Sequence, residues 1–168
     1  MQRIVIMGVA GCGKSSVGAA LSAATGIPYT DGDVLHPPAN VAKMRAGNAL
    51  TDDDRWPWLD RVAAALATHP PLLVGCSALK RAYRDRIRAG AGGPVTFLHL
   101  AGSRAVIEAR MAARKGHYMP VSLLDSQFAA LEPPGPDEVH LTIDIDQTLQ
   151  ATVKQITSDP LWTGMAAG

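Results

Sequence analysis

Short apolar runs alternate along this chain with longer segments of mixed polarity. The runs fall at Arg3–Met7, Ile27–Thr30, Leu72–Cys76, Val95–Leu100 and Val139–Ile143. Their length suits strands. Helix-like segments lie between them, at Lys14–Thr25, Pro38–Ala46, Trp56–Thr68, Leu79–Ala89, Ser103–Lys115, Val121–Leu131 and Asp146–Ser158. This alternation predicts an α/β, three-layer fold: a parallel sheet of about five strands with helices on both faces. Gly26-Ile27-Pro28 ends the first helix and opens the second strand. "AGAGGP" (89–94) and "EPPGPDE" (132–138) read as loops, and the tail after Asp159, which has no periodicity, is expected to fray. No break is long enough for an interdomain linker, so residues 1–168 are expected to form one domain.

Composition narrows the function. The chain has 168 residues, 47% hydrophobic and 18% charged, with a net charge of +1. That balance gives no electrostatic case for a nucleic acid or an anionic membrane surface. Runs such as "RIVIMGVAG" are too short to cross a bilayer. The first of them leads straight into a glycine-rich loop, which fits a strand better than a signal peptide, and a cytoplasmic protein is the expectation. Two cysteines, Cys12 and Cys76, make no secreted-type disulfide framework.

"GVAGCGKS", Gly8–Ser15, matches G-x-x-x-x-G-K-[ST] in full, between a predicted strand and a predicted helix. In such a loop the glycines let backbone amides turn toward phosphate, and the helix adds its positive dipole end. Gly8, Gly11, Cys12, Gly13, Lys14, Ser15 and Ser16 are therefore candidate nucleotide contacts. Lys14 reaches toward the β- and γ-phosphates, and Ser15 is a candidate Mg²⁺ ligand. ATP and Mg²⁺ are the cofactors expected. No N-K-x-D guanine motif is present, and the third strand, "LLVGCS", does not end in Asp. "HLTID" does end in Asp144, but as the last strand it is expected at the sheet edge. A small kinase is what remains.

Such a kinase needs an acceptor site. "YTDGDVLHPPANVAKMR", Tyr29–Arg45, follows the second strand and places Asp31 and Asp33 on the ligand side of the sheet. One of the two carboxylates can hold a metal-bound water while the other orients the substrate hydroxyl. In "LTDDDRWPWLD", Thr51 is a good N-cap and the Asp residues suit a first helical turn. Lys80, Arg84 and Arg88 stand at i, i+4 and i+8, with Arg81 beside them. That stripe predicts either a solvated basic face or, at its first turn, a clamp for a substrate carboxylate. "ARMAARKGHYMP" carries Arg110 and Arg114 before Gly116 and Pro120, a helix end followed by a short mobile segment. Cys12, at a helix N-terminus beside Lys14, would favour thiolate if exposed; a buried filler is the plainer reading of both cysteines.

These residues reach a known family. "MGVAGCGKSSVG", "DGDVLHPPANVAKMRAGNALTDDDRWPWL", "CSALKRAYRDRIR", "RKGHYM" and "LLDSQFAALEPP" together resemble the small gluconokinases, which phosphorylate D-gluconate on its 6-hydroxyl with ATP. Shikimate kinase is a more distant likeness, through the P-loop and the paired aspartates. The chain departs at Cys12, where the loop often has serine, and at Tyr118, where phenylalanine is common. The resemblance implies a P-loop kinase fold with a lid at about 114–122 and an acceptor region at about 31–60. It implies Lys14, Asp33 and Arg114 as catalytic residues, with Arg110 near the adenine or outer phosphates. It implies gluconate contacts from Asp33, His36, Asn40, Lys43, Asp54, Arg55, Arg81, Arg84 and His117. Which cation meets the substrate carboxylate stays open at this level. Dimers are common in the family, so a homodimer is the expectation. The rivals are a kinase for another sugar acid or polyol, and a catalytically silent nucleotide-binding regulator.

Overall fold

A computed structural model describes residues 1–113 and 121–167 of the chain; Arg114, His117 and most of the expected lid lie outside the described residues. Five parallel strands form one sheet: β1 Arg3–Met7, β2 Tyr29–Asp31, β3 Leu72–Gly75, β4 Thr96–Ala101 and β5 His140–Asp144, in the spatial order β2-β3-β1-β4-β5. The helices are α1 Lys14–Thr25, α2 Pro38–Arg45, α3 Asp52–Thr68, α4 Arg81–Gly90, α5 Arg104–Ala112, α6 Val121–Ala130, α7 Leu149–Ser158 and α8 Pro160–Ala166. This is the α/β, three-layer arrangement that the alternation predicts.

The central strand shows why its sequence is apolar from Ile4 to Met7. Ile4 and Ile6 enter a core layer with Leu21 of α1, Ile107 of α5, Ile156 of α7 and Trp162 of α8. Val5 and Met7 enter the opposite layer with Leu59, Val62 and Leu66 of α3 and Ile87 of α4. All four strand side chains are fully buried. A strand covered on both faces has no position left for a polar residue. Each such side chain contributes roughly 1.5–3 kcal/mol by leaving water. β1 pairs with β3 on one side and with β4 on the other, with Val5 opposite both Val74 and Phe97. β5 pairs only with β4 and is a sheet edge, as expected for the strand ending in Asp144.

Two boundaries differ from the pattern for local reasons. α3 begins at Asp52, a turn before the periodicity at Trp56. Thr51 and Asp54 form a reciprocal capping box, with Asp54 N–H donating to Thr51 Oγ1 (3.2 Å) and Thr51 N–H to Asp54 Oδ2 (2.8 Å). The tail does not fray: Pro160–Ala166 is helical. Asp159 accepts from Leu161 N–H (2.8 Å), Pro160 fills the first helical position, and Trp162 is buried. Seven residues are too few to show a period, so the cap and the buried tryptophan hold this helix. Among the described residues no helix is long and apolar enough to cross a membrane.

Candidate active site

The loops after β1, β2 and β3 meet at the carboxyl ends of adjacent strands, which is where ligands bind in open α/β sheets. They enclose a cavity of about 290 Å³ lined by the phosphate loop, Tyr29, Asp31, Asp33, the Gly75–Ser77 segment and Gln127 of α6.

The phosphate loop is built to leave donors unpaired. Gly13, in the left-handed conformation at φ +96°, is the N-cap of α1 and supplies no side-chain cap. Elsewhere Thr51, Ser103, Thr148 and Asp159 cap α3, α5, α7 and α8 with side-chain oxygens. The first N–H groups of α1 are thus available to an anion, and the dipole favours one there. The Lys14 ammonium spans the loop, donating to Gly8 O (3.0 Å) and Val9 O (3.3 Å).

Opposite the loop stands the D-G-D segment. Asp31 Oδ1 accepts from Asp33 N–H (2.9 Å), and its Oδ2 lies 3.5 Å from Ser15 Oγ. This first bond starts a 3₁₀ turn, Gly32–Leu35, that swings Asp33 into the cavity. Gly32 is required by a close approach: a Cβ there would meet Gly75 O of β3 at 2.2 Å. Burial, then the charge of Asp31, pushes the Asp33 carboxyl above the ordinary carboxylate value, with His36 and Lys14 opposing. The Tyr29 hydroxyl sits at the same floor, buried and without a hydrogen-bond partner among the described residues.

A second group of acceptor-side residues ties α2 to α3. His36 stacks on Trp58, with ring centroids 4.2 Å apart, and Trp58 Nε1–H donates to Gly32 O (2.8 Å). Asn40 Nδ2 donates to Asp54 O (2.8 Å) and lies 3.2 Å from His36 Nδ1. Lys43 Nζ pairs with Asp54 Oδ2 at 2.6 Å. That bond from Lys43, and those from Thr51, hold the Asp54 carboxyl down to about 2. Arg55 is shared between Asp52 Oδ1 (3.5 Å) and the Tyr83 hydroxyl (3.4 Å). The His36 imidazole is lowered by burial and by Arg55, and raised by Asp33, so these three charges share one neighbourhood.

Arg84, in the middle of the basic stripe, is neither solvated nor a clamp. Arg84 is fully buried. It makes a bidentate pair with Glu138, Nε–Oε1 at 2.7 Å and Nη2–Oε2 at 3.1 Å, and donates from Nη1 to Ala78 O (2.8 Å) and Leu79 O (3.1 Å). With four of its five N–H donors engaged and the side chain out of reach of solvent, it is not placed to meet a substrate. Arg88 also pairs with Glu138. Although burial alone would raise the Glu138 carboxyl, the bonds from Arg84 and Arg88 bring it down to about 2. Arg81 is held by Asp85 (3.0 Å) and Asp137 (2.9 Å). Of the expected acceptor contacts only Asp33 lines the cavity; His36, Asn40, Lys43, Asp54, Arg55, Arg81 and Arg84 do not, and for Arg84, which is fully buried, the expectation that it meets the substrate carboxylate is corrected.

On the other side of the loop lies a second cavity of about 290 Å³, lined by Gly11, Cys12, Gly13, Ser16, Arg110 and Thr152 among others. Arg110 donates to Ile145 O and to Gln147 O (3.1 Å), beside Gly13. Cys12 is only 1% exposed, and burial pushes its thiol up against the pull of Lys14. Cys76 is pushed up to about 12 by burial. Both are fillers, and the thiolate expectation for Cys12 does not apply to a buried sulfur. Tyr29, Ser77 and Gln127 line the main cavity without having been singled out by the sequence. Each lies within a stretch that carries the family resemblance or opens the acceptor segment, but none has a local feature that sets it apart from its neighbours.

No family model matches the chain. It is 44% identical over 154 residues to the thermoresistant gluconokinase of Escherichia coli K12, covering 89% of this chain and 87% of that protein. The crystal structure of a gluconokinase from Sinorhizobium meliloti superposes with a TM-score of 0.86 at 46% identity, over 99% of this chain and 92% of that one. Shikimate kinase from Aquifex aeolicus, at 17% identity and a TM-score of 0.57 over 99% of both chains, shares the fold alone.

Proposed function

The chain belongs to the gluconokinase family, and we propose that it transfers the γ-phosphoryl group of ATP to the 6-hydroxyl of D-gluconate. Residues 1–168 act as one kinase domain, with the acceptor region at about 31–60 and the lid at about 114–122. The observation that carries this reading is one cavity holding an uncapped helix N-terminus with its lysine and, across from it, a carboxylate of raised basicity.

The residues fit Mg²⁺. Ser15 Oγ and Asp31 Oδ2 are hard oxygen donors 3.5 Å apart. Among the described residues no group of three or more His, Cys, Asp or Glu could hold a metal. That suits an ion which takes one or two protein oxygens and completes its shell with phosphate and water. When bound, Mg²⁺ neutralises charge on the phosphates; Ser15 would ligate it directly and Asp31 through water.

The substrate oxygen attacks the γ-phosphorus in line, the new O–P bond forms, and the bond to the β,γ-bridging oxygen breaks to release ADP. Asp33 orients the 6-hydroxyl and takes its proton; its raised carboxyl holds that proton better than an exposed aspartate would. Lys14 and the first amides of α1 stabilise the charge on the transferred group. Gly8, Gly11, Cys12, Gly13 and Ser16 shape the phosphate cradle, and Arg110 flanks its outer side. His36, Asn40, Lys43, Asp54 and Arg55 form the acceptor wall, where Arg55 is the cation for the substrate carboxylate, because it is held more loosely, 3.5 Å from Asp52, than Lys43, 2.6 Å from Asp54. Arg114 and His117, outside the described residues, are assigned to the closing segment.

A coupled ADP-release assay tests this. Turnover with gluconate well above that with shikimate, nucleoside monophosphates or no acceptor is the expected result; equal rates without an acceptor would refute it. We also propose a homodimer, as the resemblance implies, and a cytoplasmic protein; analytical ultracentrifugation and cell fractionation test those points.

A further inference from the structure

Gln127 joins two parts of the molecule that are far apart in sequence. It stands on α6, and its Oε1 accepts the backbone N–H of Ala10 in the phosphate loop at 3.1 Å, across 117 residues. The identity of that atom follows from chemistry. An amide N–H can only donate, so the carbonyl end of the glutamine must face it, and the NH₂ end is the other terminus. No hydrogen bond to another described residue engages that Nε2. The side chain lines the same cavity as Lys14, Ser15 and Asp33.

Its support is firm. Leu124, one turn earlier, is buried in the core layer that also holds Val9 of the phosphate loop. At the other end of the helix, Glu132 N–H donates to Leu79 O (2.8 Å). A side chain fixed at both its backbone and its Oε1 offers Nε2 in a preset position, and preset donors are the ones that stabilise developing charge.

We infer that Gln127 is a further catalytic residue of the transfer: its Oε1 holds the phosphate loop in shape, and its Nε2 donates to an oxygen of the transferring phosphoryl group. This rests on the kinase reading above. The two halves of the role predict different losses. Gln127→Glu keeps an acceptor for Ala10 N–H but replaces the donor with negative charge. It should keep its melting temperature and its affinity for ADP within about threefold, while kcat falls about 10²-fold, the usual loss for one such donor. Gln127→Met removes both ends and should also weaken ADP binding, by about fivefold or more, as a strong hydrogen bond to the loop is lost.

A measurement on the unaltered protein guards against a folding defect in either variant. The Gln127 side-chain amide resonance should move when ADP, aluminium fluoride and gluconate are added together, beyond its position with ADP alone. Because ADP affinity and melting are read without gluconate, failure of the acceptor assignment leaves the loop-holding half testable. A Gln127→Glu enzyme with near-native kcat, a Gln127→Met protein with unchanged ADP affinity, or an amide resonance indifferent to the fluoride complex would each overturn the inference.

Discussion

Replacing Arg84 with methionine separates a structural arginine from a substrate-binding one. Arg84 is fully buried and makes four hydrogen bonds, two to Glu138 and two to the carbonyls of Ala78 and Leu79. Methionine fills much of the stem volume, so little cavity is left. What is lost is the cation. Breaking a buried pair by removing one partner costs about 3–5 kcal/mol, because the other charge stays behind. Here Arg88 and the Gly135 N–H (2.9 Å) still serve Glu138, and Glu132 N–H still serves Leu79 O. The lower end, about 3 kcal/mol, is therefore the expected loss. For a chain of this size that is a fall in Tm of roughly 6–12 °C. The assay is urea unfolding with thermal melting, plus gluconate KM at a temperature where the variant is folded. KM should stay within about threefold, since a contact that does not touch substrate does not alter its binding. A loss below about 1 kcal/mol, or a tenfold rise in KM in the folded variant, would refute the argument; the first would put the pair in the range of exposed ion pairs. Arg84→Met with Glu138→Leu should recover part of the loss, because the buried charge is then gone and Arg88 keeps Asp85 (2.8 Å) as its partner.

Asp33→Asn should lower kcat by at least ~10²-fold with the fold intact, as it keeps the shape but loses the base; a loss under tenfold would pass the role to Asp31. Lys14→Ala should leave melting nearly unchanged and remove most turnover, and near-native turnover would sink the phosphate-loop assignment. The His99 imidazole is held down to about 4 by burial, with Arg84 and His140 adding to it. The unfolded chain binds that proton first, so stability present above pH 6.5 should decline as pH falls toward 4, by roughly 3 kcal/mol at most. Urea midpoints between pH 7 and 4.5 check this, and a His99→Leu protein with the same decline would remove His99 as the cause. Below that window Glu138, held at about 2, should give a further loss as pH falls from 4.5.

The sequence by itself determined the features whose causes are local. The phosphate loop lies in one stretch, and its glycines carry the backbone geometry, so Gly8–Ser15 reads directly as a cradle. The same holds for the D-G-D segment, where one bond from Asp33 N–H to Asp31 sets the turn, and for β1, whose unbroken apolar run reports two covered faces. The tertiary structure decided which neighbour each face meets. Spacing placed Lys80, Arg84 and Arg88 together, but the partner that draws Arg84 inward is Glu138, 54 residues away. Lys43 finds Asp54 eleven positions on. Cys12 has the local setting of a reactive thiol, yet packing buries it. Gln127 carries no local mark of its hold on Ala10, because the contact spans most of the chain. Periodicity specifies which side chains share a surface. The charge and shape opposite that surface come from segments brought there only by the folded sheet and its helices, and those decide whether a cation is solvated, paired or poised for substrate.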